Sequence, residues 1–207
     1  MPISQAEAGG VGVLGGAFNP PHLGHIALAE ASRDQLGLDR VLLVTTGRAP
    51  HKEIDPEPGP EVRLDLTRRA VEDVDGLEAS GVEVEREGPS YMYETLEILA
   101  SDLPESPLWL ICGTDIASTL PEWERPERVI ELAGLAVAPR PGTDTEVVTN
   151  AVESLGANAA DRVVSLDFPR IEISSTEVRR RCAAGESIDD LVPPGVSAEI
   201  AAKGLYR

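Results

Sequence analysis

The stretch from Gly15 to His25 reads Gly-Gly-Ala-Phe-Asn-Pro-Pro-His-Leu-Gly-His and directly follows the apolar run Val11–Leu14. Two glycines let the backbone leave a strand and approach a ligand closely, and two prolines stiffen the turn that follows. His22 and His25 lie where an amphipathic stretch begins, so on a helix they share one face. Unpaired N–H groups and the positive end of the dipole at a helix start favour a bound anion. The stretch therefore predicts a strand, a turn and a helix that together bind nucleotide phosphates.

Other interpretations of these residues fit less well. A plain capped turn with two surface histidines does not need two glycines and two prolines as well. Zinc sites usually add a third ligand close by, and the segment His22–His25 has none. Residues Gly10–Gly15 satisfy the dinucleotide pattern G-x-G-x-x-G, but these glycines run through the apolar stretch instead of following it. A P-loop motif and a G-x-S-x-G elbow are absent from the sequence.

Composition limits the class of protein. The 207 residues suit one α/β domain over 1–207, with a polar N-terminal tail over 1–9. No apolar run approaches the roughly 20 residues that span a bilayer, and the first residues lack a signal core, so we expect no membrane partner and a cytoplasmic location. The formal net charge of −18 argues against nucleic acid as a partner. Cys112 and Cys182 are too few for a disulfide framework and are expected to be buried free thiols.

The positions of the basic residues are more informative than their number. The histidines are His22, His25 and His51, and the lysines are Lys52 and Lys203. Four of these five residues fall in two short segments of a strongly acidic chain. This clustering indicates a small positive pocket for phosphates.

Apolar, β-rich runs alternate with helical patterns along the chain, which predicts β-α-β units and a parallel sheet. Strands are expected at Val11–Leu14, Val41–Thr45, Val82–Val84, Leu108–Cys112, Leu135–Ala138 and Val163–Leu166. Helices are expected near His25–Leu36, Glu61–Val74, Tyr91–Ala100, Arg125–Leu132, Ser175–Ala184 and Ser197–Ala202.

A second motif, Ile-Ser-Ser-Thr-Glu-Val-Arg at Ile173–Arg179, opens one of these helices. Ser174 followed by Glu177 is a capping box. The same geometry can also bind a phosphate through the hydroxyls of Ser175 and Thr176 and through Arg179, one turn on. Arg180 and Arg181 point elsewhere on the helix, so we expect them to be solvated.

With both motifs in place, the chain resembles the H-x-G-H nucleotidyltransferases. Further segments, in order along nearly the whole chain, resemble bacterial nicotinate-nucleotide adenylyltransferases: Pro50–Lys52, Gly88–Tyr91, Thr95–Leu96, Gly113–Asp115, Pro121–Trp123, Arg140–Gly142 and Gly204–Tyr206. The resemblance implies a doubly wound parallel sheet of Rossmann-like type with a C-terminal helical segment. It also implies transfer of the adenylyl group of ATP to nicotinate mononucleotide, giving nicotinate adenine dinucleotide and pyrophosphate, with Mg²⁺ carried on ATP.

The same resemblance assigns residues to the site, none of them a metal ligand. Catalytic roles are implied for His22, His25 and Arg179. ATP would be bound by Gly15, Gly16, Ala17, Phe18, Gly113, Asp115, Ser174, Ser175 and Thr176. The mononucleotide would be bound by His51, Lys52, Tyr91, Met92, Trp123 and Arg140, with Trp123 stacked on the pyridine ring.

Three positions depart from the family pattern. Ala17 stands where Thr or Ser is usual, and Asn19 stands where Asp is common. Met92 replaces an expected Thr where the family recognises the pyridine carboxylate, which leaves selectivity for the acid over the amide open. The near alternative is another member of the same superfamily, such as a nicotinamide-mononucleotide, pantetheine-phosphate or cytidylyl enzyme. The sequence also leaves open whether the protein forms a homo-oligomer.

Overall fold

A computed structural model describes residues 9–50, 54–56, 58–139, 145–156, 159–169 and 171–207. Within these residues six strands form one sheet in the order β3-β2-β1-β4-β5-β6. The strands are β1 (Val11–Gly16), β2 (Arg40–Thr45), β3 (Leu77–Ser80), β4 (Leu108–Gly113), β5 (Ala133–Ala138) and β6 (Val163–Ser165). The pairs β1–β4, β4–β5 and β5–β6 are parallel. This order, with its reversal at β1, is that of a doubly wound sheet, so the predicted fold class is confirmed.

Helices connect and flank the strands. They are α1 (Leu23–Leu36), α2 (Pro60–Val71), α3 (Met92–Asp102), α4 (Thr114–Ala117), α5 (Pro126–Leu132), α6 (Thr145–Glu153), α7 (Ser175–Ala184) and α8 (Pro194–Lys203). Short 3₁₀ turns lie at Leu120–Glu122 and Ala160–Arg162. Within the described residues, no helix is both long enough and apolar enough to cross a bilayer.

The described residues fall into two compact units, each assembled from three stretches of chain. The first unit draws on the described residues within 1–14, 29–41 and 91–170, and the second on those within 15–28, 42–90 and 171–207. The stretches of the two units alternate along the sequence, so neither unit is a continuous segment. One domain over 1–207 stays a prediction.

The core of the first unit is built on β4 and β5, in which every residue is buried. Parallel strands covered on both faces are apolar without alternation, which is why these runs were recognisable in the sequence. Gly134 of β5 lies against the indole of Trp109, where an added Cβ would come within 2.7 Å of the ring. Gly12 of β1 is similarly enclosed by Ile111, which lies 2.8 Å from the position of an added Cβ.

In the second unit, α2 packs against α8. Leu64 and Leu66 of α2 and Val196 and Ile200 of α8 are buried. Gly195 lets α8 approach the backbone of Arg69, whose carbonyl oxygen lies 3.1 Å from the position of an added Cβ. The predicted C-terminal helical segment is thus present as α7 and α8.

One predicted strand is wrong. Residues Val82–Val84 form a turn, and the third strand of the chain is Leu77–Ser80. The N–H groups of Val84 and Glu85 both donate to the carbonyl of Gly81, at 2.8 and 2.9 Å. In this Val-Glu-Val run the buried residue is Glu83 and not either valine. The two valines therefore do not form the buried face of a strand.

Element ends and short helices account for the other differences. Strand β1 extends through Gly16, α1 begins at Leu23, and α8 begins at Pro194. Helix α2 ends at Val71, because the chain turns there with the N–H of Val74 donating to the carbonyl of Val71. The helices α4 and α6 were not predicted, since each is short and follows a strand or loop without a long apolar period.

Candidate nucleotide-binding site

The two histidines of the first motif form a stacked pair. His22 directly precedes α1, and the ring centroids of His22 and His25 lie 3.6 Å apart with an angle of 23° between the planes. The expectation that both side chains share one face is confirmed. Gly24 lies between them in the sequence. A Cβ added at this position would come within 3.1 Å of the His22 ring, so the glycine gives the ring room.

A backbone hydrogen bond orients the second histidine. The Nδ1 atom of His25 accepts the N–H of His22 at 3.1 Å, as a residue in the third position of a helix does in a capping box. Because Nδ1 accepts, the proton of the neutral ring lies on Nε2. His25 is half-buried, and the bond to His22 fixes the direction of its Nε2–H.

The first turn of α1 is less open than the sequence suggested. The N–H of Leu23 donates to the carbonyl of Leu191 at 2.9 Å, and the N–H of His25 donates to the carbonyl of His22 at 2.9 Å. The expectation that unpaired N–H groups at this helix start would bind phosphate is therefore wrong for these two groups. The imidazole side chains and the loop before the helix are then the candidate anion-binding groups.

Phe18 supports the histidine pair from that loop. Its backbone has a φ of 46°, in the left-handed region that bulky residues rarely adopt. The buried ring meets the His25 ring edge to face, with centroids 5.0 Å apart and an angle of 85°. Gly16 leaves room for it, since an added Cβ would lie 3.0 Å from the Phe18 ring. The strained backbone thus places an apolar wall beside the donor.

The C-terminal motif is held directly against the first motif. Ser175 donates its hydroxyl proton to the carbonyl of Pro20 at 2.8 Å, and Arg179 donates from Nη1 to the carbonyl of Asn19 at 2.7 Å. The latter two residues are 160 positions apart in the chain. Ser175 and Arg179 therefore already bind protein atoms. Phosphate binding by these two residues stays a prediction, and for Arg179 it relies on the remaining N–H groups of the guanidinium.

The N-terminus of α7 has the predicted cap. Ser174 accepts the N–H of Glu177 at 3.2 Å through its side chain. Thr176 is exposed and accepts a long contact of 3.4 Å from Nη2 of Arg179. A hydroxyl and a guanidinium thus stand together at the start of the helix.

The remaining arginines of α7 belong to a surface ion network. Arg180 pairs with Glu177 and Glu186, and Arg181 pairs with Glu177 and Asp190. Hydrogen bonds from Arg180 first, and then from Arg181, lower the pKa of Glu177 to about 2. Arg180 is exposed, as expected, whereas Arg181 is half-buried, and the ion pairs that both arginines form with carboxylates were not predicted.

The other predicted site residues of the described chain lie in the first unit. Gly113 ends β4, and Asp115 is exposed in α4. Trp123 is half-buried and donates from Nε1 to the hydroxyl of Thr119 at 3.2 Å. This bond fixes the plane of the indole and leaves part of its surface accessible.

Tyr91 and Met92 lie at the start of α3. Tyr91 is the extended N-cap residue, and Met92 is the first helical residue. Both side chains are half-buried, and the rings of Tyr91 and Tyr93 stack with centroids 6.1 Å apart. The guanidinium of Arg125 lies over the ring of Tyr93, 5.0 Å from its centroid. Three predicted residues, His51, Lys52 and Arg140, lie outside the described residues.

The thiols offer no activated nucleophile. Burial raises the pKa of Cys112 to about 12, with a smaller effect of the nearby Asp115 carboxylate. Cys182 is only half-buried, contrary to expectation, and its pKa is also raised by partial burial. In the part of the chain described above, no group of three or more His, Cys, Asp or Glu side chains could hold a metal ion.

Two features of this site were missed in the sequence. Arg63 of α2 is fully buried and donates to carbonyls of the first motif and of the chain after β2. Its signal was a charged residue on the apolar face of α2, in line with Leu66 and Ala70. The second feature is Tyr206, whose hydroxyl bonds to Asn19. No local pattern could have indicated that contact.

The chain is similar to known proteins over most of its length. The family model described as cytidylyltransferase-like matches residues 13–181. The chain is 40% identical over 197 residues to the "probable nicotinate-nucleotide adenylyltransferase" of Roseiflexus sp. (strain RS-1), covering 95% of this chain and 98% of the relative. It is 41% identical over 198 residues to the protein of the same description from Salinibacter ruber, covering 95% of this chain and 97% of that relative.

A solved structure shares the fold at low sequence identity. The Plasmodium falciparum nicotinic acid mononucleotide adenylyltransferase complexed with NaAD superposes with a TM-score of 0.75 at 14% identity, covering 95% of this chain and 96% of that one. The likeness extends over nearly the full length of both chains.

Proposed function

Because the chain belongs to the cytidylyltransferase-like family and, within it, to the nicotinate-nucleotide adenylyltransferases, we propose that its histidine pair promotes transfer of the adenylyl group of ATP to nicotinate mononucleotide. The products are nicotinate adenine dinucleotide and pyrophosphate, a step in NAD biosynthesis. The observation that carries this proposal is the stacked pair of His22 and His25, with the Nε2–H of His25 fixed as a donor.

The chemistry needs alignment more than covalent catalysis. An oxygen of the mononucleotide phosphate forms a bond to the α-phosphorus of ATP as the bond from that phosphorus to the bridging oxygen of pyrophosphate breaks. The attacking group is already an anion, so no protein nucleophile is needed, and the raised pKa of Cys112 agrees with that. Preorganised donors that meet the developing negative charge then lower the barrier.

Magnesium enters with ATP in this proposal, as part of the substrate. The described residues offer no cluster of metal ligands, whereas Mg²⁺ commonly binds through nucleotide phosphates and retains water ligands. His22, His25 and the loop Gly15–Phe18 bind the phosphates. Arg179 stabilises the departing pyrophosphate through the guanidinium donors that do not contact Asn19, and Thr176 does so through its hydroxyl.

The remaining assignments follow the family. Asp115 accepts hydrogen bonds from ribose hydroxyls, and its exposed position in α4 permits this. Trp123 stacks on the pyridine through the part of the indole that stays accessible. Lys52, beside His51, supplies a point charge for a substrate phosphate, and Arg140 also contributes to the mononucleotide site.

The acid form of the mononucleotide is the preferred acceptor in this proposal. Helix α3 begins at Met92 after an extended N-cap, and the N–H groups of a first helical turn favour a carboxylate over a neutral amide. Met92 brings no hydroxyl, so discrimination depends on backbone donors. Hydrogen bonds to a charged group contribute roughly 1.5–3 kcal/mol each, so two of them give about 10²-fold selectivity in kcat/KM.

Release of pyrophosphate tests the function. The protein is incubated with ATP and Mg²⁺ and, in separate reactions, with nicotinate mononucleotide, nicotinamide mononucleotide or pantetheine phosphate. CTP replaces ATP in a further set. We expect turnover with ATP and the acid, and a kcat/KM for the amide about 10²-fold lower. Equal values for acid and amide would refute carboxylate recognition, and turnover with none of the acceptors would refute the function itself.

A cytoplasmic location and assembly into a homo-oligomer are separate proposals. The first is supported by the substrates, since ATP and pyridine mononucleotides are metabolites of that compartment. Subcellular fractionation tests it. Light scattering on the purified protein measures its mass against the 22.0 kDa of one chain.

A further inference from the structure

Arg63 joins two loops of the second unit through three backbone carbonyls. Its side chain is fully buried. Nη1 donates to the carbonyl of Ala17 at 2.8 Å and to that of Thr46 at 2.6 Å, and Nη2 donates to the carbonyl of Gly47 at 3.1 Å. Ala17 belongs to the loop after β1, and the other two residues follow β2. One permanently charged group thus orients peptide units from both loops.

Ser90 shows what this orientation does to the opposite side of each peptide. In a trans peptide the C=O and the following N–H point in opposite directions. The carbonyls of Thr46 and Gly47 face Arg63, and the N–H groups of Gly47 and Arg48 accordingly face away from it. Both donate to the hydroxyl oxygen of Ser90, at 3.1 and 3.2 Å. The two peptide units are therefore held from both sides.

The peptide between Ala17 and Phe18 has only one of these two supports. Its carbonyl faces Arg63, so the N–H of Phe18 points the other way. Among the described residues, no acceptor is bonded to that N–H. A backbone donor without a protein acceptor is unusual beside a buried side chain, so this N–H is a candidate to bond a ligand.

We propose that Arg63 is a positioning residue that aims the N–H of Phe18 at a phosphate oxygen of ATP. The proposal rests on the adenylyl transfer proposed above and deepens it. Arg63 is fully buried and does not touch the substrate, so it acts only through the loop. A guanidinium suits this role because its planar fork reaches separate carbonyls at once and stays charged at every working pH.

A neutral or smaller residue would leave the carbonyls of Ala17, Thr46 and Gly47 without their charged donor. The Ala17–Phe18 peptide could then rotate, and the nucleotide would lose a preorganised donor. Loss of one such donor lowers the rate of the chemical step by about 10²-fold. Binding of the mononucleotide does not involve this peptide, so the effect should appear in the constants for ATP.

The experiment compares Arg63→Ala and Arg63→Lys with wild-type protein. For Arg63→Ala we expect kcat/KM for ATP to fall about 10²-fold, with KM for the mononucleotide within about two-fold of wild type. Arg63→Lys keeps the charge but not the planar fork, so its kcat/KM for ATP should lie between the values of Arg63→Ala and wild type. Millimolar guanidinium chloride should restore part of the activity of Arg63→Ala, and urea at the same concentration should not, since urea has the shape without the charge.

Arg68→Ala is the matched control, because Arg68 lies exposed on the same helix. It should leave all constants within about two-fold of wild type. Circular dichroism and thermal melts establish that each variant is folded, and Arg63→Lys serves if Arg63→Ala does not fold. A folded Arg63 variant with wild-type kcat/KM for ATP, or equal rescue by guanidinium and urea, would overturn the proposal.

A second readout separates this inference from the function on which it rests. Calorimetry with Mg²⁺ and ATP alone measures nucleotide binding without any acceptor. If wild-type protein binds ATP but transfers it to no mononucleotide, the proposed function fails, and weaker ATP binding by the Arg63 variants would still support positioning. If the transfer occurs but the variants match wild type in both ATP binding and turnover, positioning fails alone.

Discussion

The hydroxyl of Tyr206 donates a 2.6 Å hydrogen bond to the side-chain oxygen of Asn19, which precedes it by 187 residues. The amide nitrogen of Asn19 donates in turn to the carbonyl of Pro56 at 2.8 Å, and its backbone carbonyl accepts from Arg179. Asn19 is buried. It therefore ties three distant parts of the second unit to the loop that carries the histidine pair.

Asn19→Asp should destabilise the protein, although Asp is common at this position in the family. The carboxylate still accepts from Tyr206, but it faces the carbonyl of Pro56 without a proton to donate. A buried group left without its partner costs about 1–3 kcal/mol, so the urea midpoint should fall. Asn150→Asp, an exposed change of the same kind on α6, is the control. Identical midpoints for the Asn19 variant and wild type would contradict the role of the amide nitrogen.

His25→Gln should lower adenylyl transfer by about 10²-fold or more while keeping the fold. Glutamine in the third position of a helix can still accept the N–H of His22, as Nδ1 does now, so the helix start is retained. The imidazole Nε2–H is replaced by an amide N–H on a flexible chain, so the fixed donor is lost. Steady-state kinetics and a thermal melt are measured on the same preparation. Near-normal turnover in the folded variant would remove the catalytic role of the pair.

Arg179→Ala should weaken the use of ATP far more than Arg180→Ala or Arg181→Ala. Only Arg179 contacts the first motif, whereas the other two neutralise surface carboxylates. Loss of hydrogen bonds from a charged group corresponds to about 10-fold or more in kcat/KM for ATP. Equal effects at all three positions would show a diffuse basic surface in place of a directed contact.

The ion network of α7 should make stability depend on pH in a defined window. The folded pKa of Glu177 is about 2, below its ordinary value of 4.5, so its pairing with Arg180 and Arg181 favours the ionised form. The resulting stabilisation is present above pH 4.5 and is lost as the pH falls toward 2. Solvent exposure keeps the effect small.

Glu177→Gln removes the charge and keeps the N–H that Ser174 caps. The melting temperature of this variant should be below that of wild type at pH 7, and the difference should shrink between pH 4.5 and the acid limit of folding. Glu153→Gln, an exposed change at the end of α6, should show no such trend. A difference that stays constant down to pH 3 would argue against the ion pairs as its cause.

The sequence by itself was sufficient for features that depend on neighbours along the chain. The buried runs of β4 and β5, the start of α7 at Ser175, and the shared face of His22 and His25 each follow from local periodicity or spacing. Local conformation and the burial of one face impose such patterns directly on the order of residues. The fold class and the chemical type of the site were therefore predictable.

Contacts between distant segments required the tertiary structure. The carbonyl of Leu191 accepts the N–H of Leu23. Ser175 donates to the carbonyl of Pro20, and Arg179 donates to that of Asn19. Arg63 donates to the carbonyl of Ala17. None of these partners is marked by a sequence pattern, because an exposed polar residue and one paired with a distant carbonyl look alike in the sequence. Which donors remain for a nucleotide is fixed only when packing has satisfied the others, since buried polar groups bond to whatever acceptor the fold brings within reach.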